Sequence, residues 1–229
     1  MTLFNVNLFD QGCCIPTLPN WRDEVPIFQT AKGLVFYAHT PKCGGMSIEK
    51  SLSDFPTHLE TPFLHGDNQQ RFPCSPQHFH SEIILKLFDV NSFYYSFTVT
   101  RHPFKRLVSE YKFRSDIAKR QNRAIDDFNS WVERTFSCYD TTNFILDNHI
   151  RPQNEFLIPE MDVLRLEDGM ESVFTRVSRM IDVNKIHCAA HVNKSTGLKI
   201  SVGSGARELI RIFYKTDFEA FDYAVDWKP

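Results

Sequence analysis

A short apolar run near residue 35 leads through two adjacent glycines into a helical pattern, and this order limits the possible folds strongly. Residues 33–40 read GLVFYAHT, and their apolar character between Gly33 and Pro41 predicts a buried parallel strand. The next residues, PKCGGMSIEKSL, contain adjacent glycines and predict a helix over residues 46–52. A strand, a tight turn and a helix in this order form the phosphate-binding unit of many α/β proteins.

The rest of the chain alternates strand patterns with helix patterns. Two further strands are predicted, at residues 92–100 (SFYYSFTVT) and 161–168 (MDVLRLED). Helices are predicted at residues 80–88, from Pro103 onward, and at residues 124–147, 170–181 and 207–223. This alternation predicts an α/β fold, a three-layer domain with a central, mostly parallel sheet.

Length and composition bound the domain count. A chain of 229 residues can bury one good core, and we expect a single domain. Residues 1–32 contain prolines and no regular period, which predicts an N-terminal lead-in segment packed on a domain of residues 33–229. The N-terminus lacks a basic region followed by an unbroken apolar run, so neither a signal peptide nor membrane insertion is expected. Six cysteines without CxxC spacing favour reduced thiols and a cytoplasmic location.

The charge pattern is informative only locally. A net charge of −2 gives no reason to expect a nucleic-acid partner or an anionic membrane. Residues 101–123, however, hold eight Lys or Arg against only Glu110 and Asp116. Such a run is either a solvated helix face or part of a site for an anionic ligand, and both interpretations stay open at this point.

The loop after the first strand carries the groups that an anion requires. Gly44 and Gly45 let the backbone approach an anion closely, and the first free amides of the helix, near Met46 and Ser47, point at it along the positive end of the helix dipole. Lys42 adds a mobile positive charge. The alternative is a plain strand-to-helix turn. The magnesium-dependent GxxxxGK[ST] order is missing, so a kinase is the second interpretation.

A second candidate anion site follows the strand at residues 92–100. Arg101 ends this strand beside a predicted helix N-terminus, a position suited to bidentate phosphate binding. The helix packs through an apolar stripe at Phe104, Leu107, Val108 and Tyr111. Ser109 falls outside the stripe, so its hydroxyl is available for a ligand, and a surface serine is the alternative.

Two of these segments carry a family resemblance. HTPKCGGMSI resembles the His-x-Pro-Lys-x-Gly-Gly-x-Ser loop of the carbohydrate-type sulfotransferases (sulfotransferase family 2 like), which wraps the 5′-phosphosulfate of PAPS, 3′-phosphoadenosine 5′-phosphosulfate. Cys43 and Met46 replace residues that are usually threonine or small, and we expect backbone amides to tolerate both changes. TVTRHPFKRLVSEYKF resembles the second donor segment of the family, which implies that Arg101 and Ser109 grip the 3′-phosphate.

Four further segments extend the resemblance over about residues 34 to 223. They are RPQNEFL (151–157), VLRLED (163–168), HVNKSTG (191–197) and FYKTDFEAFDY (213–223). In VLRLED, Arg165 and Glu167 are interpreted as a structural ion pair or, alternatively, as substrate contacts. The donor-binding residues that the resemblance implies are Pro41, Lys42, Cys43, Gly44, Gly45, Met46, Ser47, Arg101, Ser109, Asn193, Lys194 and Ser195, with a solvated loop as the alternative for the last three.

The acceptor hydroxyl must lose a proton, and histidine is the natural base near neutral pH. CSPQHFHSEIIL places His78 and His80 between the two donor segments, and the resemblance implies a general base here, so we assign both residues jointly. Cys74 and these histidines could bind zinc, but no fourth ligand follows at recognisable spacing and no metal is expected.

His39 and His102 are expected to shape the donor loops or contact phosphate.

The resemblance therefore implies a PAPS-dependent sulfotransferase that releases PAP, with a hydroxyl acceptor, expected to be a carbohydrate. Lys42 would bind the donor and also stabilise the charge that develops on the leaving oxygen. Two alternatives remain: a P-loop-type phosphotransferase, and a catalytically inactive nucleotide-binding protein. Lys42 together with His78 and His80 argues against the inactive protein, which would need none of them.

Overall fold

A computed structural model of the protein describes residues 25–52, 72–184, 186 and 200–226. Its described part contains a four-stranded sheet in the order β1-β2-β3-β4. The strands are β1 (Ile27–Thr30), β2 (Gly33–Ala38), β3 (Phe93–Thr100) and β4 (Asp162–Arg165). Strand β1 is antiparallel to β2, whereas β2, β3 and β4 run parallel. The predicted α/β class with a mostly parallel sheet is confirmed.

Seven α-helices surround the sheet within the described residues. They are α1 (Gly45–Leu52), α2 (Ser81–Leu87), α3 (Pro103–Arg120), α4 (Phe128–Thr141), α5 (Met170–Ile181), α6 (Ser204–Phe213) and α7 (Lys215–Ala220). Over the described part of the chain, none of these helices combines the length and the apolar character needed to cross a bilayer.

Two helix predictions are wrong in their bounds. The helix predicted over residues 124–147 covers only Phe128–Thr141, because Thr142 is extended with φ −147° and ψ 116°, and residues 146–148 have positive φ angles that an α-helix does not contain. The helix predicted over residues 207–223 is divided at Tyr214 into α6 and α7. The buried hydroxyl of Tyr214 donates to the carbonyl oxygen of Ile150 at 2.8 Å, a tertiary contact that the sequence period does not reveal.

Strand β1 lies in the segment that was predicted to be an irregular lead-in. Its four residues are too few to show a strand period, but they pair along the whole strand with β2. Ile27 and Phe28 point to opposite faces of the sheet and are both buried. Residues 25–30 therefore contribute to the core, and residues 1–24 lie outside the described residues.

Apolar clusters cover the sheet on both faces and create the three layers. On one face Val35 and Tyr37 pack with Ile48 of α1 and with Val173 and Phe174 of α5. On the opposite face, Phe36 and Ala38 pack with buried side chains at Phe79, Ile84 and Phe156. A third cluster joins α3, α4, α6 and α7 beside the carboxyl end of β3. The carboxyl ends of β2 and β3 therefore open between packed helices, where α/β sheets commonly bind ligands.

Candidate active site

The loop between β2 and α1 has a backbone path that few residues could follow. Lys42 has φ 67° and Gly44 has φ 88°, so the chain turns sharply before the helix. A Cβ atom on Gly45 would overlap the imidazole of His39, and only glycine fits there. The amide of Ser47 donates to the carbonyl oxygen of Gly44 at 3.0 Å, so α1 begins directly at the loop. The predicted strand, turn and helix are present.

The side chain of Lys42 lies on an aromatic ring of α3. Its Nζ is 4.0 Å from the ring centroid of Phe113, a cation–π contact. Burial lowers the pKa of Lys42, while the carboxylate of Glu110 acts in the opposite direction. The carbonyl oxygen of Lys42 accepts a hydrogen bond from Nη1 of Arg101 at 3.2 Å. The Arg101 side chain and the Lys42 backbone, which the sequence assigned to separate donor segments, are therefore in direct contact.

Gln153, in the 3-10 helix Gln153–Phe156, connects the loop to the end of β3. Its Oε1 accepts from the amide of Arg101 at 2.9 Å, and its Nε2 donates to the carbonyl oxygen of Arg101 at 2.8 Å. The thiol of Cys43 donates to the same Oε1 at 3.3 Å. Asp217 of α7 accepts from the Gln153 amide at 2.9 Å. One buried side chain thus fixes Cys43 and Arg101 relative to each other.

Arg106 of α3 supports the loop from the interior. Its side chain is buried, with Nε donating to the carbonyl oxygen of Pro41 at 3.0 Å and Nη2 to that of His149 at 2.8 Å. Arg114, two turns later, is also buried and donates to Glu110 at 2.6 Å. The basic run of residues 101–123 is therefore partly interior, and two of its arginines are structural supports.

Three buried histidines lie ring to ring beside the loop. The ring centroids of His39 and His78 are 5.0 Å apart and those of His78 and His149 are 4.8 Å apart, both edge to face. Each Nδ1 pairs with a carboxylate: His39 with Glu49 at 2.5 Å, His78 with Asp147 at 2.8 Å and His149 with Glu110 at 2.7 Å. The phosphate-type loop and the predicted base segment therefore meet in one buried polar cluster.

His78 has the hydrogen bonds of an oriented imidazole. Ser75 Oγ is 3.1 Å from Nδ1 of His78 and donates to Asp147 at 2.8 Å. Burial acts to raise the pKa of Asp147, but the charge and hydrogen bonding of the neighbouring His78 outweigh it and hold that pKa at about 2. An ionised carboxylate on Nδ1 favours the tautomer in which Nε2 carries the lone pair.

His80 lies outside this cluster. It precedes α2, and its ring stacks near Phe144 with 5.6 Å between centroids. Its Nδ1 is buried and makes no hydrogen bond to the described residues, while Nε2 lies 3.7 Å from the exposed Glu82. Burial first, and the charge of Arg151 second, lower the pKa of His80 to about 4. His80 is therefore a neutral, packed histidine at neutral pH.

A strained turn supplies the partners of His78. Leu146, Asp147 and Asn148 have consecutive φ values of 54°, 59° and 61°, although none of them is glycine. Such positions cost about 1–3 kcal/mol each and concentrate at functional sites. The turn aims Asp147 at the His78 ring, and the side-chain amide of Asn148 donates to the His78 carbonyl oxygen at 2.9 Å.

The residue types of the cluster also suit a divalent metal. His78, Asp147 and His149 have potential ligand atoms within 4.8 Å of one another. The zinc set considered from sequence, Cys74 with His78 and His80, is not assembled among the described residues. Cys74 instead accepts from Asn148 at 3.2 Å, and burial raises its pKa. The carboxylate contacts of the Nδ1 atoms also account for the cluster as a hydrogen-bonded network of histidines.

Comparison with known protein families agrees with this geometry. The sulfotransferase family profile matches residues 26–224, which include both anion-binding candidates and the histidine cluster. The chain belongs to the sulfotransferase family. No curated protein and no solved structure matches it significantly.

In this sulfotransferase the structure brings together most of the residues that the sequence singled out. Loop residues 41–47 adjoin Arg101, and Ser109 lies half-buried two turns into α3. His78 joins the cluster next to the loop. Asn193, Lys194 and Ser195 lie outside the described residues, and their role stays a prediction.

Arg165 and Glu167 both serve the C-terminal segment. Arg165 donates to the carbonyl oxygen of Phe221, and Glu167 accepts from the hydroxyl of Tyr223 at 3.0 Å and the amide of His102 at 3.0 Å. The interpretation as an ion pair with each other is wrong, since the structure gives both residues partners elsewhere. The bonds to Phe221 and Tyr223 hold this segment against the sheet.

Sequence reasoning missed the carboxylates and the interior arginine. Glu49, Glu110 and Asp147 look like ordinary helix or turn residues in the sequence, and Arg106 looks like one charge in a basic run. One available signal was the helical period of α3, which places Arg106 and Glu110 on its packed side near Leu107 and Tyr111. A charged residue on an apolar stripe indicates a buried partner.

Proposed function

We propose that this sulfotransferase transfers the sulfuryl group from PAPS to a hydroxyl group of a carbohydrate, with His78 as the general base. The observation that carries the proposal is the contact between the two candidate phosphate-binding segments, in which Arg101 donates to the Lys42 carbonyl oxygen beside the buried His78–Asp147 pair. A donor with phosphate groups at the 3′ and 5′ positions of one ribose needs two such anion sites next to each other.

The donor would lie along the carboxyl ends of β2 and β3. The Ser47 amide already donates to the Gly44 carbonyl oxygen, so the earlier amides at the start of α1, the Ser47 hydroxyl and the Lys42 ammonium would hold the 5′-phosphosulfate, because each is a donor at a helix N-terminus. Arg101 and Ser109 hold the 3′-phosphate, with Arg101 suited to bidentate binding. PAPS enters as a co-substrate and PAP leaves, and no metal ion takes part in the proposed steps.

The transfer would proceed by in-line attack. The acceptor oxygen forms a bond to sulfur while the bond from sulfur to the bridging phosphate oxygen breaks, which leaves PAP. The acceptor proton moves to Nε2 of His78, and the ionised Asp147 stabilises the imidazolium that results. Lys42 neutralises the charge that develops on the leaving oxygen. His80 was assigned jointly with His78 from sequence. Among the described residues it has no carboxylate on Nδ1 to stabilise a positive ring, which supports the choice of His78.

Calorimetric titration with PAP in the presence of EDTA tests the donor site. We expect micromolar binding that weakens at least about tenfold in Arg101→Ala, since one charge-assisted phosphate contact contributes about 1.5–3 kcal/mol. Arg123→Ala is the matched control, because Arg123 is exposed beyond the end of α3. Magnesium-dependent binding of ATP without binding of PAP would support the kinase alternative and overturn the proposal.

The acceptor class is tested separately. Purified protein is incubated with sulfur-labelled PAPS and a panel of neutral glycans, uronic-acid-containing glycans, a hydroxyl lipid and a tyrosine peptide. We expect label in at least one glycan and loss of that label in His78→Asn. Label only in the lipid or the peptide would contradict the carbohydrate part of the proposal and leave the donor part intact.

A further inference from the structure

Glu49 is a buried carboxylate to which the mechanism above gives no task. It lies on α1 and is 6 % exposed. Its Oε1 pairs with Nδ1 of His39 at 2.5 Å, and its Oε2 accepts a hydrogen bond from Nε2 of Gln77 at 2.7 Å. Gln77 directly precedes His78 in the chain. One carboxylate therefore joins a histidine at the start of the donor loop to the segment that carries the base.

The loop end of this connection is closely packed. The His39 ring lies so near to Gly45 that a Cβ atom there would overlap it. Gly45 is also the first residue of α1, where an anion would meet the backbone amides. Any movement of Gly45 when an anion binds must displace the His39 ring, because a close-packed interior transmits small shifts.

The base end is equally constrained. Gln77 and His78 both belong to the 3-10 helix Pro76–His78 and are both buried, so the Gln77 side chain cannot move independently of the His78 backbone. Loss of the donor to a buried acceptor costs about 1–3 kcal/mol of folding free energy. This cost favours keeping the hydrogen bond between Gln77 and Glu49 when the helix shifts.

We propose that Glu49 is a positioning residue that couples occupancy of the donor loop to the orientation of His78, through Gly45, His39, Glu49 and Gln77. This inference rests on the proposed function, since it takes the loop as the donor site and His78 as the base. Glu49 contacts neither donor nor acceptor. It ensures that the base is aligned when a donor is present.

Nuclear magnetic resonance of protein with ¹⁵N-labelled histidine tests the coupling without an acceptor. PAP is the probe, and the His78 ring resonances are identified by their loss in His78→Asn. In the wild-type protein we expect saturation with PAP to shift the His78 resonances. In Gln77→Ala and Glu49→Gln, which cut the connection from opposite ends, PAP should bind within about fivefold of wild type while the His78 shift falls by at least about half.

Gln121→Ala is the matched control, because Gln121 is exposed at the end of α3, and its His78 shift should equal that of wild type. A melting temperature is recorded for each variant, and Gln77→Ala carries the test if Glu49→Gln does not fold. PAP binding with an undiminished His78 shift in Gln77→Ala would refute the coupling and assign the shift to the direct contact between the His39 and His78 rings. Absence of PAP binding in the wild-type protein would overturn the proposed function as well.

Discussion

Lys42 combines two features that a lysine with only a packing role would not need. Its backbone has φ 67°, and its ammonium group lies on the Phe113 ring next to the buried Glu110. Both features cost free energy in the folded state, through backbone strain and through removal of a charge from water. A position that retains both features is a candidate for chemistry.

Replacement of Lys42 by alanine should lower kcat at least about a hundredfold, the scale for loss of one group that stabilises developing charge. The measurement is steady-state turnover of labelled PAPS with the acceptor found in the panel. Lys86→Ala is the matched control, since Lys86 is an exposed lysine on α2 that pairs with Glu82. Unchanged turnover in Lys42→Ala would end its assignment to the leaving oxygen.

The low pKa of His80 should appear as acid instability. Burial lowers this pKa from 6.5 to about 4, so the unfolded chain binds a proton more readily than the folded one. The free energy of unfolding therefore falls as the pH decreases from about 6.5 to about 4, by at most about 1.4 kcal/mol for each unit of pKa difference. His80→Gln should lose stability less steeply over that interval in urea unfolding at fixed pH steps. Parallel pH curves for the two proteins would contradict the prediction.

At the level of secondary-structure elements, the turn into α1 depends on the close approach of the Gly45 backbone to the His39 ring. Gly45→Ala places a methyl group inside the His39 ring, so we expect a destabilisation of about 1–3 kcal/mol and weaker PAP binding. Gly205→Ala is the control, because the space around Gly205 in α6 is open and alanine should stabilise that helix by about 0.5–1 kcal/mol. Thermal unfolding and PAP titration of both variants measure the difference. Equal behaviour would mean that the loop relaxes around the added methyl group.

At the scale of the whole molecule, the C-terminal helix α7 is joined to the donor side of the sheet. Asp217 is fully buried and accepts from the amides of Gln153 and Asn154, both at 2.9 Å. Gln153 in turn holds both backbone groups of Arg101. The last helix thus supports the 3′-phosphate candidate from a position more than a hundred residues away in the chain.

Asp217→Asn should therefore lower stability by about 1–3 kcal/mol and weaken PAP binding, because an amide NH₂ replaces one of the accepting oxygens. The control is Asp222→Asn. Asp222 is exposed and has a positive φ angle, a backbone conformation that asparagine also adopts readily. Differential scanning calorimetry and PAP titration report the two effects. A loss of stability with unchanged PAP affinity would show that α7 holds the fold but not the donor site.

The fold class, the positions of β2, β3 and β4, and the two anion-binding candidates follow from the amino-acid sequence alone. These features are local. An apolar run, a pair of glycines or a residue such as Arg101 at a strand end is recognised from a few neighbouring residues. Strand β1 and the break at Tyr214 were not predicted, because each depends on a partner elsewhere in the chain.

The environment of the candidate base, in contrast, depends on the folded chain. His78 and His80 are equivalent in the sequence, two residues apart, and the fold gives an ionised carboxylate to Nδ1 of His78, whereas His80 is buried against Phe144. Asp147 is 69 residues from His78 in the sequence and lies in a turn that contains no glycine, so no local pattern predicts their contact. Burial and charge pairing set the chemistry of a side chain, and both are properties of the folded chain rather than of neighbouring residues.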